Sequence, residues 1–125
     1  MHIPKDLKYT QGHEWIAIDE EIATVGITDY AQGELGDLVF IELPDAGSTV
    51  SQGHSFGTVE AVKAVSDLFA PVSGEVVEIN TMLSDSPEAV NKDPYGEGWM
   101  IKVKISNVDE LENLLSADAY KELIG

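Results

Sequence analysis

Short apolar runs separated by polar turns make up most of this chain. Residues 14–18 and 22–27 are two such runs, rich in β-branched side chains, and an acidic triplet at 19–21 separates them. Runs of this length and composition are typical of strands, and a polar triplet between two of them is typical of a turn. The pattern therefore predicts an N-terminal β-hairpin with an acidic turn.

One short helix and further strands are predicted after the hairpin. Thr28 can cap a helix that Gly36 ends, because a hydroxyl satisfies free amides at a helix start and glycine suits its end. Residues 38–43, 75–79 and 99–105 have the composition of strands, and turn-forming residues precede or follow them. Short strands with frequent turns favour a β-sandwich or a flattened barrel.

The apolar period changes near the C-terminus, from that of a strand to that of a helix. Apolar residues recur at helical spacing behind a candidate cap at Ser106 or Asn107, namely Val108, Leu111, Leu114 and Leu115. Ser116 can cap a second helical turn. We expect a C-terminal helical segment over about residues 107–124, packed by its apolar side on the β core of a single domain over residues 1–125.

The charge balance is strongly acidic, with 23 Asp and Glu residues against 7 Lys and no Arg, a formal net charge of −16. Such a chain is repelled by nucleic acids and anionic membranes. The lack of arginine argues against a nucleotide or organic-acid pocket, because arginine is the preferred fork for such anions. The charge serves either to steer basic partner surfaces or simply to keep the protein dissolved.

Metal sites, disulfides and targeting segments are not predicted. The chain has no cysteine, its histidines at 2, 13 and 54 have no ligand spacing, and three adjacent carboxylates cannot converge on one ion unaided. We expect His13 to hydrogen-bond within the N-terminal hairpin. The first residues lack the apolar run of a secretion signal and no stretch reaches membrane-spanning length, so we expect a cytoplasmic protein, with a processed organelle protein as the alternative.

Lys63 lies between two apolar dipeptides in residues 60–67. If this segment were one continuous strand, Lys63 would share an apolar face with Val59, Ala61 and Val65. Two strands that meet at Lys63 remove that conflict, because the lysine then projects from a tight turn while the valines on either side enter the core. A long flexible stem on a fixed turn suits a covalently attached, swinging cofactor.

Other roles for Lys63 stay open on spacing alone. Most lysines are solvated surface residues, and a Schiff-base lysine needs a desolvated pocket that a turn does not supply. Glu60, three residues earlier, is either a recognition residue for a modifying enzyme or a solvent-facing strand acid.

The motifs around Lys63 resemble a known family. Residues 59–64, Val-Glu-Ala-Val-Lys-Ala, and residues 12–15, Gly-His-Glu-Trp, are similar to the H-protein family of the glycine cleavage system. Further matches follow in family order at residues 25–28, 31–32, 35–37, 43–44, 71–74 and 91–99. The ordered set is highly specific. One departure is Ala61, where the family usually has serine, which leaves open how efficiently a modifying enzyme acts on this site.

The resemblance implies a fold and a carrier role. The implied fold is mainly β, a flattened lipoyl-type barrel-sandwich of short, mostly antiparallel strands with a short internal helix and a C-terminal helix. Lys63 would carry lipoic acid in amide linkage, attached by a lipoylating enzyme. The implied partners are a pyridoxal-phosphate glycine decarboxylase, an aminomethyltransferase that uses tetrahydrofolate, and dihydrolipoamide dehydrogenase. The chain itself would catalyse no reaction.

Two acids are candidates for protecting the loaded arm, which by the resemblance carries an aminomethyl group. Its cationic amine would fold back into a cleft and pair with a carboxylate, for which Glu14 and Asp67 are the candidates because both lie in family-matching stretches. Both are alternatively plain surface acids. Two rival functions also stay open: a relay that donates lipoate to other enzymes, and an acidic interaction module whose lysine is never modified.

Overall fold

The computed structural model describes residues 2–125, where strands form most of the regular structure. The strands are β1 Lys8–Tyr9, β2 Glu14–Asp19, β3 Ile22–Ile27, β4 Leu38–Glu42, β5 Thr49–Val50, β6 Ser55–Ala61, β7 Val65–Phe69, β8 Gly74–Ile79 and β9 Ile101–Ile105. The α-helices are α1 Asp29–Leu35, α2 Glu88–Lys92 and α3 Ala117–Ile124, with 3₁₀ helices at Thr81–Ser84 and Val108–Asn113.

Two antiparallel sheets form the body of the protein. One has six strands in the order β1-β2-β3-β9-β8-β5, and the other has three in the order β4-β6-β7. Apolar side chains from both sheets share one core, which includes Ile16, Val25 and Val76 of the larger sheet and Val59 and Leu68 of the smaller one. Each such buried side chain stabilises the fold by roughly 1.5–3 kcal/mol. The predicted mainly β sandwich is confirmed.

The N-terminal hairpin and the internal helix form where the sequence predicts them. Asp19 pairs with Ile22, so the acidic turn consists of Glu20 and Glu21, and Glu20 adopts a positive φ of 56°. The hydroxyl of Thr28 accepts a hydrogen bond of 3.1 Å from the backbone N–H of Ala31 at the start of α1. These local signals are short in range, which is why they can be read directly from the sequence.

The C-terminal segment is not one continuous helix. Leu114 is extended, and Leu115 forms a bridge with Tyr9 through backbone hydrogen bonds of 2.8 and 2.7 Å. This pairing with β1 lies between the end of the 3₁₀ helix and the start of α3. The Val108 side chain, at the start of the 3₁₀ helix, is 68% exposed. The helical spacing of the leucines is therefore only partly realised, because strand pairing satisfies the backbone at residue 115 instead.

Helix α3 packs on a second apolar cluster beside the main core. Ala117 and Tyr120 of α3 are buried there with Tyr9 of β1 and Trp15 of β2. Ser116 caps the helix as predicted, because its hydroxyl accepts from the backbone N–H of Ala119 at 3.2 Å. None of the helices within residues 2–125 is long and apolar enough to cross a membrane.

Candidate functional site

Lys63 lies at the tip of the hairpin that joins β6 and β7. The backbone N–H of Ala61 donates a 2.7 Å hydrogen bond to the carbonyl of Ala64, which closes a turn around Val62 and Lys63. The Lys63 side chain is exposed. The structure thus places this lysine at an accessible turn, as the sequence predicts.

The loop between α1 and β4 supports this turn from one side. The backbone N–H of Val62 donates to the carbonyl of Asp37 at 3.2 Å. Gly36 ends α1 with a positive φ of 81°, and a Cβ at this position would lie 3.4 Å from Cε of Lys63. The stem of the lysine therefore lies against the glycine backbone at the C-terminal end of α1.

The valines around Lys63 do not all enter the core, so that part of the prediction is wrong. Val59 is 1% exposed, whereas Val62 and Val65 are 79% and 67% exposed. Val62 is in the turn itself, and Val65 pairs with Glu60 on β6, whose side chain also faces solvent. Strand alternation puts these two paired residues on the outer face of the sheet.

Glu60 therefore stands in an outward-facing row of the three-stranded sheet. It pairs with Val65 on one side and with Phe40 of β4 on the other, and all three side chains are exposed. An acid bordered by two exposed apolar residues is accessible to any enzyme that approaches the Lys63 turn. Both hypotheses for Glu60, that a modifying enzyme recognises it or that it is a solvent-facing strand acid, are compatible with this position.

A cavity of about 320 Å³ lies beside α1 and brings the two candidate acids together. Glu14 of β2 and Asp67 of β7 both line it, and Tyr30, Glu34 and Leu35 of α1 form one wall. Leu35 immediately precedes Gly36, against which the Lys63 stem lies. The helix thus connects the wall of the cavity with the base of the lysine.

Glu14 is the buried acid of the cavity, with a residue exposure of only 2%. Its carboxylate accepts from the hydroxyl of Thr10 and, at 3.4 Å, from the backbone N–H of Phe69. Burial raises the pKa of Glu14, and these hydrogen bonds oppose the shift. A Cβ at Gly12 would lie only 2.9 Å from Oε1, so the absence of a side chain there gives the carboxylate room.

Asp67 differs from Glu14 in environment. It pairs with Thr58 in the β6–β7 ladder, and its side chain is exposed at the rim of the cavity. A carboxylate at the rim stays hydrated and can meet a cation as it enters, whereas the buried Glu14 can meet the cation after it has lost water. The two acids therefore present one buried and one hydrated carboxylate to the same cavity.

Sequence reasoning did not assign His13 to this cavity, although it lines the wall beside Glu14. Its backbone carbonyl accepts from the N–H of Thr28 at 3.0 Å, beside the β2–β3 hairpin, whereas its ring nitrogen Nδ1 lies 2.9 Å from the hydroxyl of Tyr120 in α3 and so outside that hairpin. Desolvation lowers the pKa of His13, opposed by the charge of Glu34. No local signal in the sequence could indicate a partner 107 positions away.

The cavity can hold a small cation that is tethered to the protein. Glu14 is buried in the wall, Asp67 stands at the rim, and the exposed Lys63 projects from the β6–β7 turn with its stem against Gly36 at the end of α1. Within residues 2–125, no three His, Asp or Glu side chains converge in a way that could hold a metal ion. The arrangement suits transport of a bound group on an arm.

Comparisons with known proteins agree on one family. A family model described as glycine cleavage H-protein matches residues 7–125. A glycine cleavage system H protein from Carboxydothermus hydrogenoformans is 61% identical over 122 residues, 98% of this chain and 94% of that protein. Another from Staphylococcus carnosus is 56% identical over 125 residues, 100% and 99% of the two chains. The crystal structure of a glycine cleavage system H protein from Mycobacterium marinum has a TM-score of 0.92 and 47% identity, covering 98% of this chain and 99% of that one.

Proposed function

Because this chain belongs to the glycine cleavage H-protein family, we propose that Lys63 is the residue to which lipoic acid is attached in amide linkage. The protein is a carrier of the glycine cleavage system. The observation that supports Lys63 is its position: an exposed side chain on a hydrogen-bonded turn, whose stem lies against the backbone of Gly36.

The residues around Lys63 fit such an arm. Its Nζ is accessible to a lipoylating enzyme, and the cavity of about 320 Å³ begins at the helix that carries Gly36 at its end. When bound, lipoate supplies a disulfide that takes up the aminomethyl group together with two electrons. The turn fixes the origin of the arm, so the cargo stays at high effective concentration for each partner.

The enzymes that the arm serves follow from this role. Glycine decarboxylase, with pyridoxal phosphate, would load the aminomethyl group. Aminomethyltransferase would release ammonia and pass the one-carbon unit to tetrahydrofolate, and dihydrolipoamide dehydrogenase would reoxidise the dithiol. Each of these enzymes has to accommodate a carrier with a formal net charge of −16, which favours basic docking surfaces.

Glu14 and Asp67 hold and shield the amine of the cargo. Asp67, exposed at the rim, meets the cation first, and Glu14, buried in the wall, pairs with it inside. Entry of the cation favours the ionised form of Glu14, whose pKa burial otherwise raises. Exclusion of water from this cavity slows hydrolysis of the loaded arm.

Intact mass of the protein from lipoate-supplied cells tests the attachment site. We expect one added lipoyl group on the wild-type chain, none on Lys63→Arg, and a normal addition on Lys104→Arg, which changes an exposed strand lysine in the other sheet. An unmodified wild-type chain would refute the hypothesis that Lys63 carries lipoate. A lipoylated chain that accepts no aminomethyl group from glycine decarboxylase would favour a lipoate relay instead.

The lifetime of the loaded arm tests the role of Glu14. A hydrogen bond to a charged group contributes about 1.5–3 kcal/mol, so Glu14→Ala should speed ammonia release from the loaded protein roughly tenfold or more. Asp67→Ala should have a smaller effect because that carboxylate is exposed. Glu75→Ala, at an exposed position on β8, is the control and should leave the lifetime unchanged. An unchanged lifetime in Glu14→Ala would exclude its part.

A further inference from the structure

Asn91, in helix α2, binds the loop that supports the Lys63 turn. Its Oδ1 accepts from the backbone N–H of Leu38 at 3.0 Å, and its Nδ2 donates to the carbonyl of Gly36 at 2.8 Å. The same Nδ2 donates to Oε1 of Gln32 in α1 at 3.0 Å. One partly buried side-chain amide thus satisfies three groups at the junction of α1 and β4.

The two loop residues that Asn91 binds lie on either side of Asp37, whose carbonyl supports the Lys63 turn. Gly36 and Leu38 flank Asp37, and the carbonyl of Asp37 accepts from the backbone N–H of Val62. Leu38 also pairs with Ala61, the first residue of the turn, in the β4–β6 ladder. Displacement of this loop would therefore move the support of the turn directly.

Tyr95, which follows α2 in the chain, holds the other end of α1. The backbone N–H of Asp29, the first residue of the helix, donates to the hydroxyl of Tyr95 at 3.0 Å. Helix α1 is thus fixed at its start by Tyr95 and at its end by Asn91. Since α1 also forms one wall of the cavity, these two contacts set the position of the wall relative to the base of the arm.

We propose that Asn91 is a positioning residue for the modification of Lys63, acting through the Gly36–Leu38 loop. This inference rests on the proposed function, because it assumes that Lys63 is the residue modified. Loss of the amide would leave the Gly36 carbonyl and the Leu38 N–H without their partner, and the loop and the turn would loosen together. The lipoylating enzyme would then have to order the turn when it binds.

The expected effect falls on binding of the modifying enzyme rather than on the chemical step. Ordering a loosened segment costs binding free energy, so Asn91→Ala should raise the KM of the apo protein for lipoylation roughly threefold to tenfold. The kcat should change little, because Lys63 keeps its own amine and its exposure. A residue that contributed only to global stability would not produce this split in a protein that remains folded at the assay temperature.

Asn80 provides a matched control. Its side-chain amide is buried and donates to the carbonyls of Glu97 and Trp99 at 2.7 and 2.8 Å, in the stretch that follows Asn91. Asn80→Ala therefore also removes an amide with two backbone partners, but none of those partners belongs to the loop or the turn. Both variants should be destabilised, and only Asn91→Ala should alter lipoylation kinetics.

The decisive experiment combines steady-state lipoylation with amide hydrogen exchange of the apo protein by NMR. In Asn91→Ala we expect exchange of the Val62 amide to accelerate roughly tenfold or more, together with the rise in KM. In Asn80→Ala both quantities should stay at wild-type values. Equal changes in the two variants, or no change in Asn91→Ala, would overturn the proposal.

Asn91→Asp keeps the proposal testable if the alanine variant does not fold. An ionised aspartate keeps an acceptor for the Leu38 N–H but cannot donate to Gly36 or Gln32. It should raise the KM and the Val62 exchange rate in the same direction, with Asn80→Asp as its control, and wild-type values for both would overturn the proposal. If the wild-type chain accepts no lipoate, the proposed function fails, while Val62 exchange still decides whether Asn91 holds the turn.

Discussion

Burial suits Glu14 to the role that is proposed for it. Its exposed fraction is 2%, and its carboxylate accepts hydrogen bonds from the Thr10 hydroxyl and the Phe69 N–H, so it has little access to water. Burial favours the neutral acid, so the folded protein binds a proton more tightly at Glu14 than the unfolded chain does. A cation in the cavity reverses that preference.

This environment predicts a pH-dependent stability difference between the wild type and Glu14→Gln. Above the ordinary pKa of 4.5, the folded wild type still holds a proton that the unfolded chain has released. Its stability relative to the variant should therefore fall as pH rises from 4.5 towards the raised pKa, with a slope of at most about 1.4 kcal/mol per pH unit. Urea unfolding of both proteins at several pH values measures this difference.

Exposed Glu75 supplies the control for that series. Glu75→Gln removes a carboxylate at an exposed strand position, so its curve over the same window gives the effect of losing a carboxylate that is not buried. His13 is present in every protein compared, so its direct titration largely cancels. Parallel curves for Glu14→Gln would contradict the role assigned to burial.

The turn at Lys63 could be predicted from the sequence, but the exposure of the valines beside it could not. The conflict between a charged residue and an apolar strand face was enough to predict the turn from residues 59–65 alone. The exposure of Val62 and Val65 was not predictable in the same way, because hydrophobic character alone does not tell which face of an edge strand remains uncovered.

At the scale of elements, the C-terminal helix is linked to the wall of the cavity by hydrogen bonds. The hydroxyl of Tyr120 lies 2.7 Å from the hydroxyl of Thr28, which caps α1, and 2.9 Å from Nδ1 of His13. Burial raises the pKa of Tyr120 to about 12, so the hydroxyl stays neutral and keeps its proton for one of these partners. The ring also stacks on Tyr9 of β1.

Tyr120→Phe tests this connection with little change in shape. The variant keeps the stacked ring but removes the hydroxyl, so Nδ1 of His13 and the hydroxyl of Thr28 each lose a hydrogen-bond partner. The free energy of unfolding should therefore drop by about 1–3 kcal/mol. Tyr30→Phe is the control, because within residues 2–125 its hydroxyl makes no hydrogen bond with another group. Thermal or urea unfolding measures both, and equal losses would contradict the assigned contact.

The elements themselves differ in how far the sequence predicted them. The N-terminal hairpin and α1 depend on turn and cap residues next to them, so both were predicted closely. The strand expected at 99–105 begins only at Ile101, because Trp99 closes a turn with Gly96 at 3.1 Å. The C-terminal segment is helical on both sides of Leu115, and Ser116 caps the second helix as predicted. The pairing of Leu115 with Tyr9, over 100 residues earlier, was not predicted because no local pattern indicates it.

At the scale of the whole molecule, the acidic charge is almost unpaired. Within residues 2–125 a single ion pair joins side chains, Lys102 with Glu78 at 3.6 Å. A formal net charge of −16 on a protein of 13.5 kDa therefore produces self-repulsion that opposes the compact state. The same field attracts basic surfaces and weakens with added salt.

Added salt should therefore stabilise this protein while it slows partner association. Between about 10 mM and 0.5 M NaCl we expect the free energy of unfolding to rise by about 1 kcal/mol, which raises Tm by roughly 3–6 °C. The kcat/KM with glycine decarboxylase, the partner proposed to load the arm, should fall over the same range. Calorimetry and steady-state rates measure the two effects, with an uncharged osmolyte as control for the rates. A salt-independent kcat/KM would assign the charge to solubility alone.

The sequence by itself determined the β-rich architecture, the Lys63 turn and the family, because strand composition, turn chemistry and ordered motifs are properties of neighbouring residues. Only the tertiary structure placed Glu14, Asp67 and His13 around one cavity, because they come from strands and loops far apart in the chain. It alone showed that Asn91 holds the loop beneath Lys63. Such contacts depend on how the sheets and helices pack together, and no local pattern encodes that packing.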